Sequence, residues 1–325
     1  MTTVRLIGIA LLVGLAGCQF EEQAPVAQSA PAKIPAASFE KLSSRHLPNP
    51  IRVHERVISG GLPEGDEAFA ELQELGIKTI ISVDGAKPDV AMAQKYGMRY
   101  VHLPHGYDGV PEQRAKELAK AVRDLPVPIY LHCHHGKHRS PAATAVACVG
   151  AGLIRHDDVA TLLALAGTSE AYRGLFQSAE SAHPLDKALL DELQAEFPAV
   201  AKLPAMAGVM VEIEHIHDLL KAIEKAGWTT PADQPALVPD HEALLLHEQF
   251  KELLRTKDVQ SRPERFQQLT QDAEVAAQAL ENALKSPATS GEEASKLFLV
   301  VSNNCKACHQ QFRDVPLREK QLPKN

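Results

Sequence analysis

Residues 127–149 read VPIYLHCHHGKHRSPAATAVACV. Val127–His132 is short and mostly apolar, with branched and aromatic side chains, as in a buried strand. Cys133–Ser140 follows, polar and basic around Gly136, and Pro141–Val149 is alanine-rich and helical in character. The order is therefore strand, loop, helix. Working outward, Arg52–Ser59 reads as extended, and Pro63–Leu75 carries helical spacing that stops at Gly76. Ile77–Val83 and Met98–Leu103 read as strands, and Pro88–Tyr96 and Pro111–Leu125 as helices. Strands alternating with helices predict an α/β layer architecture with a mainly parallel sheet.

Cys133 opens the loop and Arg139-Ser140 closes it, a Cys-x5-Arg-Ser pattern set between a strand and a helix. In that setting the pattern resembles the signature of protein tyrosine and dual-specificity phosphatases, over roughly residues 50–180. The chemistry asks for these residue types. A phosphate monoester needs a nucleophile, stabilisation of charge on three oxygens, and an acid for the leaving group. Loop amides converging on a helix N-terminus favour a thiolate at Cys133 and bind phosphate oxygens. Arg139 supplies a bidentate fork for two of those oxygens, and Gly136 permits a tight loop. By the resemblance, Ser140 hydrogen-bonds the departing sulfur and His132 holds the loop and favours the thiolate. The family's general acid is an Asp on a loop before the signature strand. Asp108, in His105–Val110, is the preferred candidate and Asp84 its rival.

His134, His135, Gly136, Lys137 and His138 complete the expected phosphate-binding loop with Arg139. Its basic character leaves polyphosphorylated substrates open. Two other readings stand beside hydrolysis: a silent fold that only docks phosphoesters, and a metal module using His134, His135 and His138, since imidazole is a good ligand. Cys148 lies too far along the following helix to bridge Cys133 and reads as a buried thiol.

Helical patterns dominate Ile154–Pro198, and beyond Lys202 strand signals cease. Four amphipathic stretches follow, at about Pro204–Ala226, His241–Thr256, Pro263–Leu284 and from Ser290, where Glu293 is placed for a capping box. They predict an up-and-down four-helix bundle. The fourth contains Cys305-Lys306-Ala307-Cys308-His309, the Cys-x-x-Cys-His attachment pattern of c-type haem. Near the end of a fourth helix, Cys305–Arg313 resembles the cytochrome c′ and c556 family over about residues 203–316. That resemblance implies covalent haem c on Cys305 and Cys308 with His309 as the proximal iron ligand. Antiparallel packing brings the start of the first bundle helix level with His309, which favours Met206 or Met210 as distal ligand over His215 or His217. An apolar cap on five-coordinate iron is the alternative.

The N-terminus reads as an export signal. Arg5 precedes the apolar run Leu6–Leu15, too short to span a bilayer, and Leu15-Ala16-Gly17-Cys18 resembles the bacterial lipoprotein box, with Cys18 as the lipidation site. Gln19 after it favours outer-membrane sorting by that resemblance. The chain has 325 residues, enough for about two domains. Five cysteines exclude a disulfide scaffold, and a net charge of −7 gives no basic excess pointing to nucleic acid.

The expected organisation is a signal peptide (1–18), a disordered tether (19–48), a phosphatase-like α/β domain (49–180), a helical connector (181–202), a c′-like bundle (203–316) and a tail (317–325). The expected role is that of an exported phosphoric monoester hydrolase, lipid-anchored on the periplasmic side of the envelope. Its expected partners are a phosphorylated protein or small molecule, an electron-transfer partner, the membrane through its lipid, and a second copy through the bundle.

Overall fold

The computed structural model describes residues 2–3, 34 and 36–320. Cys18, the rest of the leader, most of the expected tether and residues 321–325 lie outside the described residues. No helix among the described residues is long and apolar enough to cross a membrane.

A six-stranded sheet organises the first half. Its strands are β1 Glu40–Lys41, β2 Ile51–His54, β3 Val57–Gly60, β4 Thr79–Ser82, β5 Arg99–His102 and β6 Ile129–His132, in the spatial order β1-β2-β3-β6-β4-β5. The first three pair antiparallel; β3, β6, β4 and β5 run parallel. Alternation along the strands divides two cores. Ile81, Val101, Ile129 and Leu131 belong to one, and Ile58, Ile80, Tyr100 and Tyr130 to the other. Helices α1 Gly65–Glu74 and α2 Val90–Lys95 cover the second face through Phe69, Leu72 and Ala93. Helices α3 Glu112–Asp124, α4 Arg139–Gly150, α5 Val159–Ala166 and α6 Arg173–Glu180 cover the first. Burial on both faces is why β4 and β6 read as continuous apolar runs. Each fully buried Ile or Leu contributes about 1.5–3 kcal/mol. Every residue of α4 is buried, which its alanines permit.

Four sequence expectations need correction. Arg52–Ser59 is a hairpin, β2 and β3, because the chain turns at Glu55-Arg56. The tether does not run to residue 48: Ala37 and Phe39 pack on the core, the Ala37 amide donates to Asp158 Oδ2 at 3.1 Å, and β1 pairs with β2. The connector is helical only in α7, Lys187–Glu192. Beyond it the chain runs beside β5, where the His102 amide donates to the Pro198 carbonyl at 2.8 Å and the Ala201 amide to His102 Nδ1 at 3.1 Å. This covers the otherwise open sheet edge. The tail also begins later than expected, as its first residues form a helix packed beside the candidate site, described below.

The second half is a four-helix bundle of α8 Ala205–Lys225, α9 Pro239–Arg255, α11 Glu264–Lys285 and α12 Gly291–Cys308, with the single turn α10 Lys257–Gln260 between α9 and α11. Ile213, Ile216, Leu220, Leu246, Phe250, Leu280, Phe298 and Val301 form its core, the stripes that helical spacing marks out. Ser290 caps α12 by accepting from the Glu293 amide at 3.2 Å. Across the bundle, Trp228 Nε1 donates to Ser295 Oγ at 2.9 Å. After Cys308 the chain widens into a π-helical turn, His309–Arg313, and α13 Leu317–Lys320 follows. The described residues from Ala36 to Lys320 belong to one compact unit.

Candidate functional site

The loop after β6 sits at the carboxyl ends of the parallel strands, where open α/β sheets place ligands. Its carbonyls are held outward by distant parts of the chain. The His134 carbonyl accepts from the Leu62 amide at 2.9 Å, the Gly136 carbonyl from Asn49 Nδ2 at 2.9 Å, and the Lys137 carbonyl from the Thr168 hydroxyl at 2.7 Å. The amides from His134 to Ser140 find no acceptor among the described residues. They form a nest of donors leading into the N-terminus of α4, the arrangement that holds an anion. Gly136 has φ +71, and a Cβ there would lie 2.5 Å from the Gly61 nitrogen. Only glycine fits on both counts.

Cys133 is 3 % exposed, and its Sγ lies 3.2 Å from Ser140 Oγ. Ser140 donates to the Gly60 carbonyl at 2.9 Å, so its hydroxyl is positioned to turn its proton toward the sulfur. Because α4 begins at Arg139 and not at Pro141, Arg139 and Ser140 sit in its first turn. Arg139 is buried, its guanidinium lies 4.5 Å from the Tyr107 ring centre, and its Nε finds no partner among the described residues. Burial works against its charge, but Tyr107, Asp84 and Cys133 more than offset this and hold it protonated. His132 bonds Tyr100 Oη through Nε2 at 2.6 Å and the Cys133 carbonyl through Nδ1 at 3.3 Å. Burial pushes it down to about 4, so it is a neutral brace for the loop.

The imidazoles of the loop turn away from this nest. His134 Nε2 lies 3.4 Å from Asp218 Oδ2 on α8, and Asp218 raises its pKa. His135 is exposed, its ring edge-on to His134 at 4.4 Å. His138 packs on Tyr172 at 4.8 Å and accepts from the Ser169 amide at 3.3 Å; burial pushes it down to about 4. Lys137 is exposed. The loop therefore offers an anion its backbone and Arg139, while His134, His135 and His138 contribute amides in place of the expected cationic side chains. The expected trio of metal-binding histidines is also not brought together, because His138 faces Tyr172.

Asp108 is held by the bundle. Its Oδ2 accepts from Lys320 Nζ at 2.8 Å, and its carbonyl accepts from the Leu317 amide at 2.9 Å. Asp84 is buried after β4; its Oδ1 accepts from the Ala86 amide at 2.7 Å, while Oδ2 has no partner among the described residues. Sequence reasoning missed Tyr107. Its ring lies between Arg139 and Arg313, whose guanidinium is 4.2 Å from the ring centre, and burial pushes its hydroxyl up to about 12. An aromatic beside a candidate acid was the only available signal. Cys148 is fully buried and pushed up to about 12 by that burial, consistent with an inert thiol.

At the far end of α12, Cys305 and Cys308 are half-buried and, like Met206, Val209, Met210 and Phe312, pack against the bundle core. Burial pushes the Cys305 thiol up to about 11 and raises Cys308, while His309 is pushed down to about 3 and is neutral. Two neutral thiols and a neutral imidazole at the bundle core, with Arg262, Arg265 and Arg313 close enough to act on them, form a donor set that fits haem. Met206 Sδ takes a 3.7 Å contact from Arg262 Nη2. Of the lower-ranked histidines, His217 bonds Ser302 Oγ at 2.9 Å and lies against Phe298, while His215 is exposed.

The family model described as Cytochrome C′ matches residues 253–313. No curated protein matches the chain. Among solved structures, TpbA of P. aeruginosa is 20% identical, with 42% of this chain and 85% of that one covered and a TM-score of 0.37. A putative phosphatase (DUF442) from Shewanella putrefaciens CN-32 is 18% identical over 47% of this chain and 92% of its own, with a TM-score of 0.32. The core catalytic domain of the PP-IP phosphatase Siw14 of S. cerevisiae is 14% identical over 47% and 92%, with a TM-score of 0.34. The chain thus joins an α/β region to a helical bundle of which residues 253–313 match the cytochrome c′ model.

Proposed function

We propose that the α/β region hydrolyses phosphomonoesters through a cysteinyl-phosphate. The observation that carries this reading is the ring of unaccepted amides from His134 to Ser140, set around a buried Cys133 sulfur and a buried Arg139. Cys133 Sγ attacks phosphorus. The nest amides and Arg139 take up charge on the phosphoryl oxygens as the ester bond breaks. Asp108 protonates the leaving oxygen once Lys320 releases it, and Ser140 stabilises the departing sulfur when water hydrolyses the intermediate. His132 positions the loop as a neutral brace.

For the bundle, Cys305 and Cys308 would hold haem covalently, with His309 and either Met206 or Met210 as candidate iron ligands. Bound haem supplies a one-electron couple or a site for a small gas. Redox control of the oxidisable Cys133 thiol follows as a role for the fusion. An electron-transfer partner, a second copy through the bundle, a lipid on Cys18 and a periplasmic, outer-membrane location complete the proposal.

The deciding experiment is hydrolysis of para-nitrophenyl phosphate and a phosphotyrosine peptide by the full chain and by Cys133→Ser. The variant should lose at least ~10³-fold in kcat, as removal of a nucleophile does, and mass spectrometry of acid-quenched wild type should find one phosphoryl group on the Cys133 peptide. An unchanged rate in Cys133→Ser removes the assignment.

A further inference from the structure

The phosphate loop and α8 meet at a group of donors that the hydrolytic chemistry does not use. His134 and His135 come from the loop and Asp218 from the bundle, and one ligand atom of each lies within 4.8 Å of the others. His134 Nε2 and Asp218 Oδ2 are 3.4 Å apart. A charge-assisted hydrogen bond closes to about 2.7–2.9 Å. Two ligands on one tetrahedral zinc, with bonds of ~2.0–2.1 Å, sit roughly 3.3 Å apart. The His134–Asp218 spacing fits two ligands sharing an ion. Lys221 holds the other oxygen, Oδ1, at 2.8 Å, which orients the carboxylate and leaves Oδ2 toward the histidines, as an outer-shell partner does. His135 is exposed, so the site has a path for entry.

We propose that His134, His135 and Asp218 form a zinc-class metal site at the seam between the phosphate loop and the bundle. Two imidazoles and one carboxylate suit zinc or copper(II) over calcium, which takes oxygen ligands. The fourth position is left to water. An ion there ties the loop to α8 and holds the bundle against the catalytic mouth, so zinc lowers turnover. This consequence rests on the phosphatase reading; the binding does not.

The test is equilibrium dialysis of the tag-free, haem-loaded full chain against zinc, with bound zinc counted by elemental analysis. Cys133→Ser serves as the parent, which removes the loop thiol as a competing ligand. The parent should hold one zinc per chain. Asp218→Asn and His135→Gln should each weaken binding at least ~10-fold, since even outer-shell changes cost ~10–100-fold. His135 is exposed, so its variant reads the site without disturbing the core. Parent-like binding in both variants, or no binding in the parent, overturns the site. In the wild type, stoichiometric zinc should slow para-nitrophenyl phosphate hydrolysis, and less so in Asp218→Asn. Zinc bound with turnover unchanged overturns the clamp alone, and an absence of hydrolysis altogether leaves the dialysis result standing.

Discussion

Both groups of chemically assigned cysteines stand at helix ends, and the two ends are built oppositely. Cys133 lies just before the N-terminus of α4, where free amides and the positive end of the helix dipole face a ligand. That end stabilises an anion. Cys305 and Cys308 close the C-terminal part of α12, half-buried in apolar surroundings that keep the thiols neutral. That end keeps its thiols uncharged. The scaffolding differs as well. The Cys-x-x-Cys-His spacing places its side chains within a single helix and the turn that follows. The phosphate loop needs Asn49, Leu62 and Thr168 to hold its carbonyls outward.

The sharpest way to break the comparison is Arg139→Lys. A point charge replaces the fork, and kcat on para-nitrophenyl phosphate should fall ~10²–10³-fold, while the visible haem spectrum stays as in wild type. A spectrum that changes with it would show that the two ends are not separable. The reciprocal variant, Cys305→Ala with Cys308→Ala, should abolish the covalent haem signal after acid–acetone extraction. It should still release para-nitrophenol at a rate within an order of magnitude of the parent.

Between the two ends runs the contact of α13 with the Asp108 loop. Lys320→Ala frees the Asp108 carboxylate and should raise kcat/KM by a few fold, with the gain confined to poor leaving groups that need protonation. An equal gain for good and poor leaving groups, or no gain, would place the acid elsewhere, and Asp84→Asn then becomes the informative variant.

The smallest effect lies within the bundle, where His247 bonds Glu281 at 2.7 Å and Glu274 at 3.1 Å, and Lys285 also pairs with Glu281. Lys285, then His247, lowers the Glu281 pKa. Its contribution is present above the unfolded carboxylate value of ~4.3 and is lost as pH falls. Glu281→Gln should therefore lower the Tm at pH 7, and the gap should close below about pH 4.

Much of the Cys133–Ser140 loop was legible because residue type and context agree: a buried strand, a cysteine, a glycine that permits a tight turn and an Arg-Ser pair just ahead of a helix. The side-chain directions were not. A stretch with three histidines and a lysine reads as a basic cradle, yet His138 belongs to Tyr172 and His134 to Asp218, since a tight loop aims its amides inward and its side chains out. Nor did spacing reveal Tyr107 between Arg139 and Arg313, residues that meet only through packing.

Periodicity and motif spacing by themselves determined an α/β region followed by a helical bundle, one cysteine ahead of a helix and two at the end of another. Such patterns are local, set by the strand and helix repeats that each segment obeys alone. The tertiary structure decided that α8 lies against the Cys133–Ser140 loop and α13 against the Asp108 loop, so that Asp218 meets His134 and Lys320 meets Asp108. Those pairings join residues far apart in the chain, and which surfaces meet depends on shape and charge complementarity that no single segment encodes.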